Sequence, residues 1–166
     1  MDSETHKMLL KKAGSILARR SHSRFELKSK LAGLAEDLQI ESVLNRLEQL
    51  NLLNDPEYAY NFALHRIRQQ GWSPAKVRYA LLNRQIGMPV IDNVLERVQS
   101  EAGDQSDIIV EYVRKRFGKK VLPTDPKSIR KLILHLQQRG FDEHHILGAL
   151  RGIIPAASLQ PFETGE

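Results

Sequence analysis

Apolar residues recur along this chain at helical spacing, in three stretches that resemble one another. Ser23-Arg-Phe-Glu-Leu-Lys-Ser-Lys-Leu31 aligns without gaps on Ser73-Pro-Ala-Lys-Val-Arg-Tyr-Ala-Leu81, and both align on Asp125-Pro-Lys-Ser-Ile-Arg-Lys-Leu-Ile133. Leu27, Val77 and Ile129 coincide, as do Leu31, Leu81 and Ile133, so each stretch carries an i, i+4 core stripe. Ser23, Ser73 and Asp125 are residues whose side chains accept from orphan backbone N–H groups at a helix start. Pro74 and Pro126 follow at the first helical position, where a missing N–H costs nothing. Glu26 completes a capping box with Ser23, and Trp72 is placed to staple onto Val77.

A further helix follows each capped one. Its apolar positions Val43, Leu44 and Leu47 match Val94, Leu95 and Val98, then Ile146, Leu147 and Leu150. Another precedes each, over residues 4–20, 56–70 and 105–117, the middle one opened by Asp55 as N-cap and Pro56 at N1 and closed by Gly71. No window sustains the two-residue alternation of a strand. The expected fold is therefore all-α, an elongated tandem array of three three-helix repeats with about nine short helices. The repeats are expected at 1–53, 54–102 and 103–154, and 155–166 is expected to be a frayed C-terminal tail. A lone three-helix unit of about fifty residues buries little surface, so the units are expected to pack on their neighbours.

Composition narrows the chemistry. The chain has 166 residues and no cysteine, which removes disulfides, thiolate metal sites and cysteine nucleophiles, and suits a reducing cytoplasm. The first twenty residues lack the uninterrupted apolar core of a signal peptide, and no run of about 18 apolar residues occurs. A cytoplasmic location without membrane contact is expected. There is no phosphate-binding glycine loop and no His-Glu-x-x-His zinc motif. His144 and His145 diverge by about 100° on a helix and do not share a face. His135, within an apolar run, is expected as a satisfied buried imidazole. No catalytic residue, cofactor or metal is expected.

Charge is periodic. Residues 1–35 carry eight Lys/Arg and three acids, 58–91 five and none, and 112–141 nine and one; the intervening blocks 36–57 and 92–111 are each net −5. In each unit the first two helices are basic and the third is acidic. Two accounts fit: acidic helices complement basic helices of the next unit, or the basic helices face an anionic partner. A direct nucleic-acid surface is one form of the second, since cations contact phosphates and Trp72 or Tyr79 could stack on bases. Both aromatics are expected, however, as core or staple residues. Sequence-specific helix-turn-helix readout is disfavoured, because acidic third helices repel phosphate.

The run Ala18-Arg-Arg-Ser-His-Ser-Arg-Phe-Glu-Leu-Lys-Ser-Lys-Leu31 resembles the entry motif of the RecX family of bacterial recombination regulators. So does the succession Leu50-Asn-Leu-Leu-Asn-Asp55, Tyr58-Ala59, Phe62-Ala63, Arg66, Gly71, Val77-Arg78 and Leu81. The motifs span residues 13–86, and the helical layout extends the match to 153. Two departures stand out: Arg84-Gln85-Ile86 lacks the family's glycine, and Gln70 stands where a base is common. The resemblance implies a non-catalytic modulator that lies in the groove of the RecA–DNA filament and restrains ATP hydrolysis, strand exchange and filament growth; a monomer is expected. The implied partners are the RecA recombinase filament and single- or double-stranded DNA, touched directly or through RecA. The candidate partner-binding residues are Arg24, Lys28, Arg66, Arg68, Lys76, Arg78, Arg84, Arg114, Lys115, Arg116, Lys119, Lys120 and Arg130. The alternatives are a stand-alone nucleic-acid binder of low sequence preference and a helical scaffold for another protein.

Overall fold

The structure, a computed structural model, describes residues 3–118 and 120–163. Every regular element among them is a helix. In chain order these are α1 (Ser3–Leu17), α2 (Arg24–Leu31), α3 (Asp37–Gln49), α4 (Asp55–Gln70), α5 (Pro74–Leu82), α6 (Met88–Ala102), α7 (Gln105–Phe117), α8 (Pro126–Gln138), α9 (Glu143–Arg151) and α10 (Ala156–Glu163).

The three capped starts form for the reasons their residues suggest. Ser23 Oγ accepts from the Glu26 N–H at 3.1 Å while the Ser23 N–H donates to Glu26 Oε2 at 3.2 Å, closing the capping box. Ser73 Oγ accepts from the Lys76 N–H at 3.1 Å, and an Asp125 carboxylate oxygen accepts from the Ser128 N–H at 2.9 Å. Each such cap is worth about 1 kcal/mol. Behind the caps, Leu27, Val77 and Ile129 are fully buried, and so are Leu31 and Leu81, with Ile133 nearly so. The equivalent residues of α3, α6 and α9 are buried as well, from Val43, Leu44 and Leu47 to Ile146, Leu147 and Leu150.

Two local expectations are corrected. Asn54, not Asp55, caps α4: its Oδ1 accepts from the Glu57 N–H at 2.9 Å, which moves Pro56 to the second helical position. Proline tolerates that place too, because the N–H it lacks has no intrahelical partner anywhere in the first turn. Asp55 turns outward from its own helix, and its Oδ1 accepts from the Arg24 N–H at 2.7 Å at the start of α2. The second correction concerns the tail. Residues 156–163 form α10 instead of fraying, with Leu159 fully buried, and the helix packs on α8 and α9. Residues 164–166 lie outside the described part.

Packing divides the chain into two compact units, residues 1–61 with 81–92 and residues 62–80 with 93–166. The division falls inside α4, α5 and α6, away from the repeat boundaries expected at 53/54 and 102/103. Hydrogen bonds show why. The N-terminal half of α4 is tied to α2 and to the α5–α6 turn through Asp55 and Tyr58. Its C-terminal half is tied to the end of α6, to α7 and to the turn after α8. The core of the first unit joins Leu9 and Ala13 of α1, Leu27 and Leu31 of α2, and Ile40, Val43, Leu44 and Leu47 of α3. In the second unit α7 packs on α9, and α8 on α9 and α10.

Candidate partner-binding site

The cations expected to meet a partner fall into three groups once their contacts are traced. In the first unit, Arg24, Lys28 and Arg84 are occupied by carboxylates of the same unit. Arg24 forms ion pairs with Glu41 and with Glu48, the latter at 2.7 Å. Lys28 Nζ lies 2.7 Å from Glu41 and 3.0 Å from Asp37. Lys28 first, and then Arg24, hold the Glu41 carboxyl below its ordinary range against a smaller opposing effect of burial. Arg84 Nε donates to the Tyr58 hydroxyl at 3.0 Å and lies 3.6 Å from Glu26. The base that follows the first core position is thus neutralised by the acidic third helix of its own unit in α2. These pairs are partly exposed, so each contributes on the order of 0–1 kcal/mol.

A second group, in the second unit, is occupied by helix C-termini. The last carbonyls of a helix lack intrahelical donors and carry the negative end of its dipole. Lys115 Nζ donates to the Arg68 carbonyl of α4 at 3.2 Å, and Arg139 Nη1 donates to the Gln70 carbonyl one turn-end further on. Arg68 Nη2 donates to the Glu101 carbonyl of α6 at 2.7 Å, and Lys76 Nζ to the Gln138 carbonyl of α8 at 2.6 Å. Three helix ends are therefore closed by long-range cations, each worth about 0.3–1 kcal/mol. Arg66 belongs to the same seam. Its guanidinium carbon lies 4.7 Å from the centroid of Trp72 and 4.9 Å from that of Phe62, while Lys76 Nζ covers Trp72 at 4.7 Å. Trp72 is half-buried and meets Phe62 edge-on at 6.3 Å, so it is the hub of a cation–π cluster in addition to any staple. Arg78, half-buried on α5, is also engaged.

The third group faces solvent. The side chains of Arg114, Arg116 and Lys120 are exposed and make no hydrogen bond or ion pair with a described residue. Arg130 is exposed, its guanidinium 5.9 Å from the Phe162 ring. Lys119 lies outside the described residues. Next to Arg116, His135 Nε2 and the Tyr112 hydroxyl are 2.8 Å apart, with the rings stacked at 13°. Burial lowers the pKa of His135, and the positive charges of Arg116 and Arg139 lower it further. The end of α7 and the end of α8 thus carry a concentrated positive field.

Sequence reasoning missed Arg139, Tyr112 and His135 as members of this region. A signal existed: Arg139-Gly140 ends α8 as Gln70-Gly71 ends α4, and the base absent before Gly71 stands before Gly140. Tyr79, expected inside, is 68% exposed. Two residues beyond Val77, it lies about 200° around α5 from the buried stripe. Among the described residues, no three His, Cys, Asp or Glu side chains converge to hold a metal ion, and no helix is long and apolar enough to cross a membrane.

Fold and site together define an all-α protein with a cluster of exposed cations, unpaired among the described residues, at the end of α7. Residues 54–95 match the family model described as RecX, second three-helix domain. The chain is 37% identical over 148 residues to the regulatory protein RecX of Prosthecochloris aestuarii, covering 87% of this chain and 92% of that one. It is 36% identical over 141 residues to the regulatory protein RecX of Pseudomonas tolaasii, covering 84% and 88%. The crystal structure of RecX from Lactobacillus salivarius superimposes with a TM-score of 0.66 at 21% identity, over 91% of this chain and 97% of that one. The chain belongs to the RecX family of regulatory proteins.

Proposed function

We propose that this chain is a non-enzymatic, cytoplasmic regulator that binds the RecA–DNA filament as a monomer and restrains its ATP hydrolysis, strand exchange and extension. Family membership supports the partner. The observation that carries the site is the contrast between occupied and unoccupied cations. Arg24, Lys28, Arg68, Lys76 and Lys115 are engaged within their own units, whereas Arg114, Arg116 and Lys120 face solvent without a partner among the described residues. A new contact to an acidic or phosphate-bearing surface therefore costs least at the α7 end, where no existing interaction must first be broken.

The test is a titration of the single-strand-DNA-dependent ATPase of the cognate RecA. Wild-type chain is expected to inhibit at near-stoichiometric or lower levels. Reversing Arg114, Arg116 and Lys120 to Glu is expected to weaken inhibition at least tenfold with the helical circular dichroism unchanged. A wild-type titration that leaves both ATPase and strand exchange untouched rules the function out; an unaltered curve for the variant rules out the site.

A second reading, direct binding of nucleic acid without RecA, draws on the exposed Tyr79 ring beside Arg78, an arrangement suited to stacking. No binding to single-stranded DNA at low salt in the absence of RecA eliminates it.

A further inference from the structure

A cleft of about 140 Å³ opens in the first unit between the α1–α2 connection and the start of α4. Its wall includes Ser21, His22, Asn51, Glu57, Tyr58 and Asn61, and no Lys or Arg lines it. The cleft is well below the roughly 300–1,000 Å³ of sites that enclose a small molecule or cofactor. It has room for one side-chain head group.

The polar groups of this wall have mostly fixed roles. His22 is buried, 5% exposed, and its Nδ1 lies 2.9 Å from the Arg20 carbonyl oxygen. A carbonyl can only accept, so Nδ1 carries the proton and Nε2 is left as an acceptor with no partner among the described residues. Burial lowers the pKa of the imidazole; Arg20 and Lys30 also oppose its protonation, while the Arg20 hydrogen bond and Glu26 favour it. The ring is neutral at pH 7. Glu57 follows the α4 cap, and its carboxylate has no ion-pair partner among the described residues. Asn54 is fully engaged: its amide donates to Asn51 Oδ1 at 2.9 Å and its oxygen caps α4. The Tyr58 hydroxyl accepts from Arg84. What remains for a visitor is a carboxylate, an imidazole lone pair, the Ser21 hydroxyl and the Asn61 amide, with one group that can only donate, the side-chain NH2 of Asn51, whose oxygen is already taken by Asn54.

We infer that this cleft seats the guanidinium of an arginine side chain presented by a protein partner. A guanidinium is a planar fork of five N–H donors with no acceptor, complementary to several acceptors of fixed direction and one carboxylate. An ammonium offers three donors on a point, and an anion finds Glu57 opposing it. The cleft lies in the first unit, whose candidate cations are internally paired, so the unit that lacks unoccupied candidate cations gains a way to hold a partner's cation. This assignment is independent of RecA being that partner.

The test uses the full chain labelled with ¹⁵N and the blocked residue N-acetyl-arginine methylamide, without RecA or DNA. Saturable amide shifts confined to His22, Asn51, Glu57 and Asn61 are expected, with a Kd of about 1–10 mM at low salt. The neutral, equally shaped citrulline derivative is expected to bind at least about tenfold more weakly, the difference a lost charge interaction of about 1.4 kcal/mol makes. Glu57→Gln, a change on an exposed first-turn side chain, is expected to weaken the arginine derivative by a similar factor. Absence of localised shifts at about 100 mM, some tenfold above the weakest expected Kd, overturns the assignment, and so does equal binding of the citrulline derivative. Tighter binding of free L-arginine than of the blocked residue overturns the protein-partner assignment.

Discussion

Gly71 closes α4 with φ +59°, and a Cβ built there would lie 2.3 Å from the Cγ and Cδ2 atoms of Tyr112. Gly71→Ala therefore meets two independent penalties. Holding a residue with a Cβ in the left-handed region costs about 1–2 kcal/mol. The steric one depends on whether Tyr112 can move. Its ring is stacked on His135 at 5.9 Å, lies 5.2 Å from the Arg139 guanidinium, and is 9% exposed, so it has little freedom to retreat. Overpacking of this kind costs about 1–3 kcal/mol, for a total of about 2–5 kcal/mol. Tyr112→Ala isolates the steric penalty, since it removes the ring atoms that the added Cβ would meet and leaves the Gly71 backbone as it is. Trp72, the one tryptophan in the chain, is adjacent to Gly71 and reports unfolding of the second unit by fluorescence in urea. Gly71→Ala should cost about 2–5 kcal/mol in the wild-type background and about 1–3 kcal/mol less in the Tyr112→Ala background. Equal costs of Gly71→Ala in the two backgrounds would refute the close-approach argument.

Stability should also fall as the pH drops below about 6.5, the ordinary His pKa. His22 and His135 both have folded pKa values lowered chiefly by burial, so the unfolded chain takes up protons more readily; the stability present above that pH is lost below it. Urea midpoints between pH 7.5 and 5 measure this, and His22→Gln should flatten the profile. Leu159→Ala should destabilise by about 2–5 kcal/mol if α10 is part of the core, as its complete burial requires. A change below about 0.5 kcal/mol, the range of ordinary surface substitutions, would return that segment to the status of a loose tail.

Much of the fold was legible because its signals are local. A cap residue, a proline one position later and an i, i+4 stripe all lie within nine residues, and Ser23, Ser73 and Asp125 cap their helices as read. Asn54 was missed because Asp55-Pro56 mimics a cap and its proline one position late, and nothing local shows that Asp55 serves α2. α10 was hidden by its composition: Pro155, Pro161 and Gly165 suggest fraying, while a single leucine anchors the segment. The cationic region was legible as composition and illegible as function. Whether Arg139 faces solvent depends on the Gln70 carbonyl, 69 residues away in sequence.

That distinction changes what a charge count implies about binding. A stripe using all twelve described candidate cations would give a logarithmic salt dependence on single-stranded DNA near −8, at about 0.7 per phosphate neutralised. The geometry argues for far less. Arg24 and Lys28 would have to leave Glu41, Glu48 and Asp37, exchanging one ion pair for another at little net gain. Arg68, Lys76 and Lys115 would have to uncover helix ends. The four exposed candidates that make no hydrogen bond or ion pair with a described residue, Arg114, Arg116, Lys120 and Arg130, correspond to a slope of about −3. A measured slope near −3 places contact at the end of α7 and the first half of α8. One near −8 means that the internal pairs open on binding, and that the two units rearrange their own electrostatics to engage the partner.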